Sequence, residues 1–85
     1  MFSVDFSSYA KKFLKKADKE IIKRILEKIE KLKIEPFPFD VKRVVGKKEK
    51  IFRVRVGDYR IQYSVFYDQN NIFISDIDKR ERAYD

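Results

Sequence analysis

The 85-residue sequence contains no cysteine, no histidine and no tryptophan, and only two glycines and two prolines. Without cysteine, disulfide scaffolds, zinc ribbons and thiol nucleophiles are excluded. Without histidine, the commonest general base and metal ligand is missing too. Any chemistry must therefore run on Arg, Lys, Tyr, Asp and Glu. No stretch approaches the roughly 18 consecutive apolar residues that a membrane span needs. The opening residues, Met1 to Phe6, also lack the basic segment and apolar run of a signal peptide. These absences lead to the expectation of a cytoplasmic chain with no membrane association.

Hydrophobic residues make up 44% of the chain and aromatic residues 15%, too much for a disordered basic tail. The length holds one small domain, residues 1–85, whose core has to be built from large side chains. The net charge of +7 is unevenly placed. Residues 1–50 hold 15 basic and 8 acidic residues, whereas residues 51–85 hold six of each. Five of the six cations in the second half are arginines, the residue type suited to bidentate phosphate recognition. Lys11, Lys12, Lys15, Lys16, Lys31 and Lys33 read as a solvated face that attracts a polyanion at long range.

Phe2, Val4 and Phe6 alternate with Ser3 and Asp5, the period of a half-buried strand. Ser7 and Ser8 offer an N-cap for a short helix from about Tyr9 to Lys16, with Tyr9, Phe13 and Ala17 along its apolar stripe. Asp18 caps a longer helix to about Lys33, whose apolar face is Ile21, Ile22, Ile25, Leu26, Ile29 and Leu32. Pro36 and Pro38 end the helical half. Strands follow at Val41–Val45, Lys50–Val56, Tyr59–Tyr67 and Ile72–Ile77, and the tail from Asp78 packs across the end of the sheet. The expected fold is α+β: an N-terminal strand and a two-helix hairpin packed on one face of a small antiparallel sheet.

A two-residue turn at Gly57-Asp58 fixes the pairing that follows from it. Val56 should face Tyr59, Arg55 should face Arg60, Val54 should face Ile61 and Arg53 should face Gln62. One face then carries Phe52, Val54, Val56, Tyr59, Ile61, Tyr63, Val65 and Tyr67, and the helices cover it. The other carries Arg53, Arg55, Arg60, Gln62 and Ser64. Two arginines directly opposite each other repel, at a cost of several tenths of a kcal/mol. A second turn centred on Gln69-Asn70 would set Phe66 against Phe73, Ser64 against Ser75, Gln62 against Ile77 and Arg60 against Lys79. The tail would then bring Arg80, Arg82 and Tyr84 to the same face. Such a surface suits a phosphate clamp, and plain strand alternation also produces a solvated Arg/Gln/Ser side.

The run Ile51-Phe52-Arg53-Val54-Arg55-Val56-Gly57-Asp58-Tyr59-Arg60-Ile61-Gln62-Tyr63 resembles the central signature of the RelE/ParE toxin superfamily. Val4-Asp5-Phe6 with Ala10-Lys11-Lys12-Phe13-Leu14 is similar to that family's first strand and helix, and Lys79-Arg80-Glu81-Arg82-Ala83-Tyr84 to its closing motif. The resemblance implies a ribosome-dependent endoribonuclease that cuts mRNA in the ribosomal A site. Its partners would be the ribosome, mRNA and a cognate RelB-type antitoxin. The implied chemistry uses no metal and no cofactor: the ribose 2′-OH attacks the adjacent phosphate, and guanidinium groups stabilise the phosphorane.

By the same resemblance, Arg60 and Arg80 are phosphate-stabilising residues, and Tyr84 stacks on or activates the attacking nucleotide. Arg53 and Arg55 stand where other members carry lysines proposed as general base and acid. Arginine stays protonated at any relevant pH, so neither can be a general base here. Arg82, Lys79 and Gln62 are expected to bind RNA around this centre. The alternatives are a ParE-like poison of DNA gyrase and a degenerate toxin that only binds antitoxin or operon.

Overall fold

The computed structural model describes residues 1–44, 46 and 50–79. Arg80, Arg82 and Tyr84 lie outside the described residues. The elements run β1 (Ser3–Phe6), α1 (Ser8–Lys16), α2 (Lys19–Ile34), β2 (Lys42–Arg43), β3 (Phe52–Val56), β4 (Tyr59–Phe66) and β5 (Asn71–Lys79). They form one five-stranded sheet in the order β1-β5-β4-β3-β2. The architecture is the expected α+β arrangement, with one correction to the sheet. β2, β3, β4 and β5 are antiparallel, whereas β1 pairs in parallel with β5. Parallel neighbours need a long crossover, and everything from α1 to β4 lies between these two strands.

Ser7 starts α1 by accepting a hydrogen bond from the Ala10 N–H at 3.1 Å. Its hydroxyl also donates to the Ser75 carbonyl at 2.7 Å, and its own N–H to the Ile74 carbonyl at 2.9 Å. One serine thereby caps the helix and pins it against β5. That close approach favours a small residue, and Ala10 is fully buried while Tyr9, expected in the apolar stripe, is 71% exposed. The stripe is Ala10, Phe13, Leu14 and Ala17: Phe13 and Ala17 stand as expected, and Ala10 takes the place of Tyr9. Along α2, Ile25, Ile29 and Leu32 recur at helical spacing and are buried, while Leu26 is exposed. They meet Val54, Ile61, Tyr63, Ile72, Ile74 and Ile77 of the sheet. Tyr63 is buried completely, and its hydroxyl donates to the Pro36 carbonyl at 2.6 Å. Burial, followed by the charges of Asp40 and Glu35, keeps this phenol protonated far above its usual range.

The first long hairpin has the expected register: Val56 faces Tyr59, Arg55 faces Arg60, Val54 faces Ile61 and Arg53 faces Gln62. Gly57 takes a φ of +60° at the first turn position, which a type II′ hairpin turn demands. A β-carbon there would also come within 2.9 Å of the Arg24 guanidinium, which α2 extends over the turn. The second hairpin departs from expectation. A 3₁₀ turn over Tyr67–Gln69 closes on Asn70 at φ +52°, so Phe66 pairs with Asn71 rather than with Phe73. A bulge at Gln62/Tyr63 then shifts the ladder once more. Ser64 therefore faces Phe73, Gln62 faces Asp76, and Arg60 faces Asp78 instead of Lys79. Lys79 pairs with Tyr59 and follows the alternation of the helix-covered face. The expected strand at Val41–Val45 shortens to Lys42–Arg43 among the described residues. The Val41 N–H is occupied by the Pro38 carbonyl at 3.0 Å.

Candidate functional site

The sheet face turned away from the helices carries two rows of polar side chains, set by the registers of three strand pairs. One row runs Lys42, Arg53, Gln62 and Asp76 across β2, β3, β4 and β5. The next runs Arg55, Arg60 and Asp78 across β3, β4 and β5. Two residues separate the rows along each strand, so both rows share one face. The β2–β3 flank is cationic and the β5 flank is anionic. Gln62 and Arg60, on the central strand, stand at the boundary.

Arg60 meets the boundary directly. Its Nε donates to Asp78 Oδ1 at 3.3 Å and its Nη2 to Asp78 Oδ2 at 3.1 Å. The side chains are 24% and 41% exposed, so the pair contributes on the order of 0.5–1 kcal/mol. Asp78 offsets the repulsion that Arg55 exerts from the other side. Asp76 is half-buried, and its carboxyl is raised above the ordinary value of 3.8 by burial first and by the Asp78 charge second. The Ile77 N–H and Arg60 pull it back in part. Ser75, beside the bulge, donates from its hydroxyl to the Gln62 carbonyl at 3.2 Å and holds the shifted register.

Two hollows border the face. A depression of about 350 Å³ on the cationic flank is lined by Asp40, Lys42, Arg53 and Arg55. Asp40 is itself paired with Lys28 at 3.0 Å. A cleft of about 490 Å³ lies between α1 and the ends of β4 and β5, lined by Lys12, Lys16, Phe13, Tyr59 and Asp76. Phe13 and Tyr59 meet there edge to face, 5.6 Å between ring centroids. The lysines of α1 and the cationic flank attract a polyanion at long range, whereas the cleft itself sets Lys12 and Lys16 against Asp18 and Asp76.

Of the residues singled out in the sequence, Arg53, Arg55, Arg60 and Gln62 come together on this face, and Lys79 does not join them. Arg80, Arg82 and Tyr84 fall outside the described residues. Asp76 and Asp78 were not anticipated. Their i, i+2 spacing is a strand signal, hidden by ending the last strand at Ile77 and by counting the preceding turn two residues too long. Among the described residues, no helix is long and apolar enough to cross a membrane.

Comparison with known proteins places this chain in a family. The family model described as the ParE toxin of type II toxin–antitoxin systems matches residues 4–84. The candidate toxin RelE1 of Methanocaldococcus jannaschii is 41% identical, over 98% of this chain and 94% of its own length. The RelE–RelB complex from Pyrococcus horikoshii contains a chain 32% identical, with a TM-score of 0.82 over 96% of this chain and 98% of that one. The isolated E. coli RelE toxin shares the fold at 19% identity, with a TM-score of 0.82 over 99% of this chain and 89% of that one. The two-helix hairpin on a five-stranded sheet, with an arginine-bearing outer face, is thus the fold of a member of the RelE/ParE superfamily of toxins of type II toxin–antitoxin systems.

Proposed function

We propose that this toxin is a ribosome-dependent endoribonuclease that cleaves mRNA in the ribosomal A site and so inhibits translation. The observation that carries the reading is the outer face of the sheet, where Arg53, Arg55 and Arg60 gather in two adjacent rows. In the proposed reaction the ribose 2′-oxygen forms a bond to phosphorus, the bond from phosphorus to the 5′-oxygen breaks, and the products carry a 2′,3′-cyclic phosphate and a 5′-hydroxyl. Charge grows on the phosphorane oxygens, and fixed guanidinium groups stabilise it more than they stabilise the starting diester. Arg60 is the donor from the sheet and Arg80 the donor from the closing motif. Arg53 and Arg55 neutralise the neighbouring phosphates, because neither can accept a proton. Tyr84 either takes the 2′-OH proton or stacks on the nucleotide, leaving catalysis to positioning and charge. Arg82 and Gln62 hold the RNA beside this centre, and Lys79, paired with Tyr59 on the other side of the sheet, is no longer assigned to it.

The partner in the cell is an antitoxin of the RelB type, as in the complex of the Pyrococcus horikoshii relative. An acidic or amphipathic segment of it would cover the basic domain and block access to Arg53, Arg55 and Arg60. The compartment is the cytoplasm, where ribosomes and mRNA meet. A second reading is a ParE-like poison of DNA gyrase, and it is favoured by the description of the matching family model. The identity to RelE relatives favours the first. Translation in vitro with mapped mRNA ends separates them. Cuts confined to the A-site codon, bearing cyclic phosphates, support the ribonuclease. Intact mRNA together with inhibited supercoiling supports the gyrase poison. Neither effect, with antitoxin and operator DNA still bound, leaves a degenerate toxin acting as a binding module.

A further inference from the structure

The outer face of the sheet does not stay polar along its whole length. Past the row of Arg53 and Gln62, β4 turns Ser64 and then Phe66 to this side, and β5 turns Phe73 and Asn71. Phe66 stands opposite Asn71 and Phe73 opposite Ser64, so the two rings are diagonal neighbours on one face. Among the described residues that pack on the core, neither phenylalanine appears. Phe66 is 46% exposed and Phe73 is half-buried. Single apolar side chains on a surface are ordinary, whereas two adjoining rings on a face lined mainly by charged and polar groups mark a place of contact.

Spacing and charge decide what makes that contact. Successive rows lie about 7 Å apart along a strand, so Phe73 is one row beyond Gln62 and Phe66 is two. An RNA strand that sets a phosphate among the arginines therefore carries its neighbouring nucleotides over the rings. Cations lie toward one flank, at Lys42, Arg53 and Arg55, and carboxylates toward the other, at Asp5, Asp76 and Asp78. This polarity draws the phosphodiester to the β3 side and keeps it from the β5 side, which leaves the bases to the rings between. Asp5, beside Phe73, accepts from the Asn71 side-chain amide at 3.2 Å. Every base has a π-face, so aromatic rings along a cationic track hold single-stranded RNA with little regard to sequence.

We infer that Phe66 and Phe73 form a stacking subsite for a base of the mRNA, beside the nucleotides bound at the arginines. The inference rests on the ribonuclease reading and deepens it, because it gives the substrate an apolar hold that is remote from the reacting atoms. A hold of that kind acts on binding and leaves the chemical step alone.

On programmed ribosomes, Phe66→Ala should raise the half-saturating toxin concentration by roughly tenfold. The saturating cleavage rate should stay within about twofold of the parent's. Phe66→Tyr should bind like the parent. Phe66→Leu keeps the apolar bulk without a ring face and should lose nearly as much as alanine. An abasic nucleotide, placed in turn at each position beside the cleavage site, should at one position weaken the parent and leave Phe66→Ala unaffected. The chain has no tryptophan, so Phe66→Trp supplies a single indole as an optical probe. A short single-stranded RNA should quench its emission, and inorganic polyphosphate, which shares only the charge, should not.

A Phe66→Leu chain that binds ribosomes like the parent would overturn the inference and make the patch a contact for a protein, antitoxin or gyrase. The lack of any abasic position coupled to Phe66 would overturn it too, as would equal quenching by RNA and polyphosphate. Thermal unfolding of each variant separates a loss of fold from a loss of the subsite. A parent chain that leaves mRNA intact on ribosomes would bring down the ribonuclease reading first. That outcome is distinct from a cleaving parent whose binding ignores Phe66.

Discussion

Alternate residues of β4 lead separate lives. Ile61 and Tyr63 point into the core and are fully buried, whereas Arg60 and Gln62 stand on the outer face between cations of β3 and carboxylates of β5. One eight-residue strand thus carries the centre of the hydrophobic core on one side and the centre of the candidate site on the other. Because the two sets touch different neighbours, stability and chemistry can be altered nearly independently. A chain this short has no spare element for a separate catalytic unit, so the division runs through single strands, residue by residue.

The largest expected effect on stability comes from the inner side. Ile61→Ala should cost about 2–5 kcal/mol through lost burial and the cavity left behind, read as a fall in denaturation midpoint with an unchanged slope. A smaller loss would mean that α2 collapses onto the gap. Tyr63→Phe keeps the ring but leaves the buried Pro36 carbonyl without its donor. It should cost roughly 1–3 kcal/mol. A neutral result would show that water reaches that carbonyl and that the inner side is less sealed than its burial implies.

Substitutions away from β4 should act more gently. Lys12→Ala, on the exposed side of α1, should weaken ribosome association modestly and lower its salt dependence by analogy with phosphate-neutralising contacts. The saturating cleavage rate should not move, and a change in that rate would extend the site into the cleft beside α1. Asp76→Asn should have the smallest effect, and its sign is set by the raised carboxyl. Between the unfolded value near 3.8 and the higher folded one, the folded chain binds the additional proton, so stability falls as pH rises through that window. The asparagine removes this cost. Its Tm should exceed the parent's slightly at pH 7, and the difference should vanish below pH 3.8, once both states of the parent are protonated. A lower Tm at pH 7 would mean that attraction to Arg60 outweighs burial.

The inner side of β4 was readable in the sequence because Gly57-Asp58 permits one tight turn, and the alternation from Phe52 to Val65 follows from it. The outer side was readable only on its β3 flank. On the β5 flank the register depends on Asn70 adopting a left-handed conformation, which lets the turn close two residues early. It depends further on a bulge held by Ser75, and no side-chain pattern announces either. The pattern alone therefore sets Lys79 beside Arg60, where the fold sets Asp78. The same kind of error put Tyr9 in the core in place of Ala10. Hydrophobicity favoured the larger residue, while the close docking of α1 through Ser7 selected the smaller one. The parallel pairing of β1 depends on a contact between the two ends of the chain and leaves no local trace.

Single-turnover cleavage of mRNA on programmed ribosomes, at saturating protein, tests the central claim most directly when Arg60→Ala is set beside the parent chain. Loss of one preorganised transition-state donor should slow cleavage by roughly 10²–10³, and Arg80→Ala should behave alike. The folded stability of Arg60→Ala should stay within about 1 kcal/mol of the parent, since the variant loses a half-exposed ion pair and also relieves the repulsion with Arg55. Unchanged saturating rates in both variants would contradict the assignment of the outer face to RNA cleavage and turn attention to gyrase.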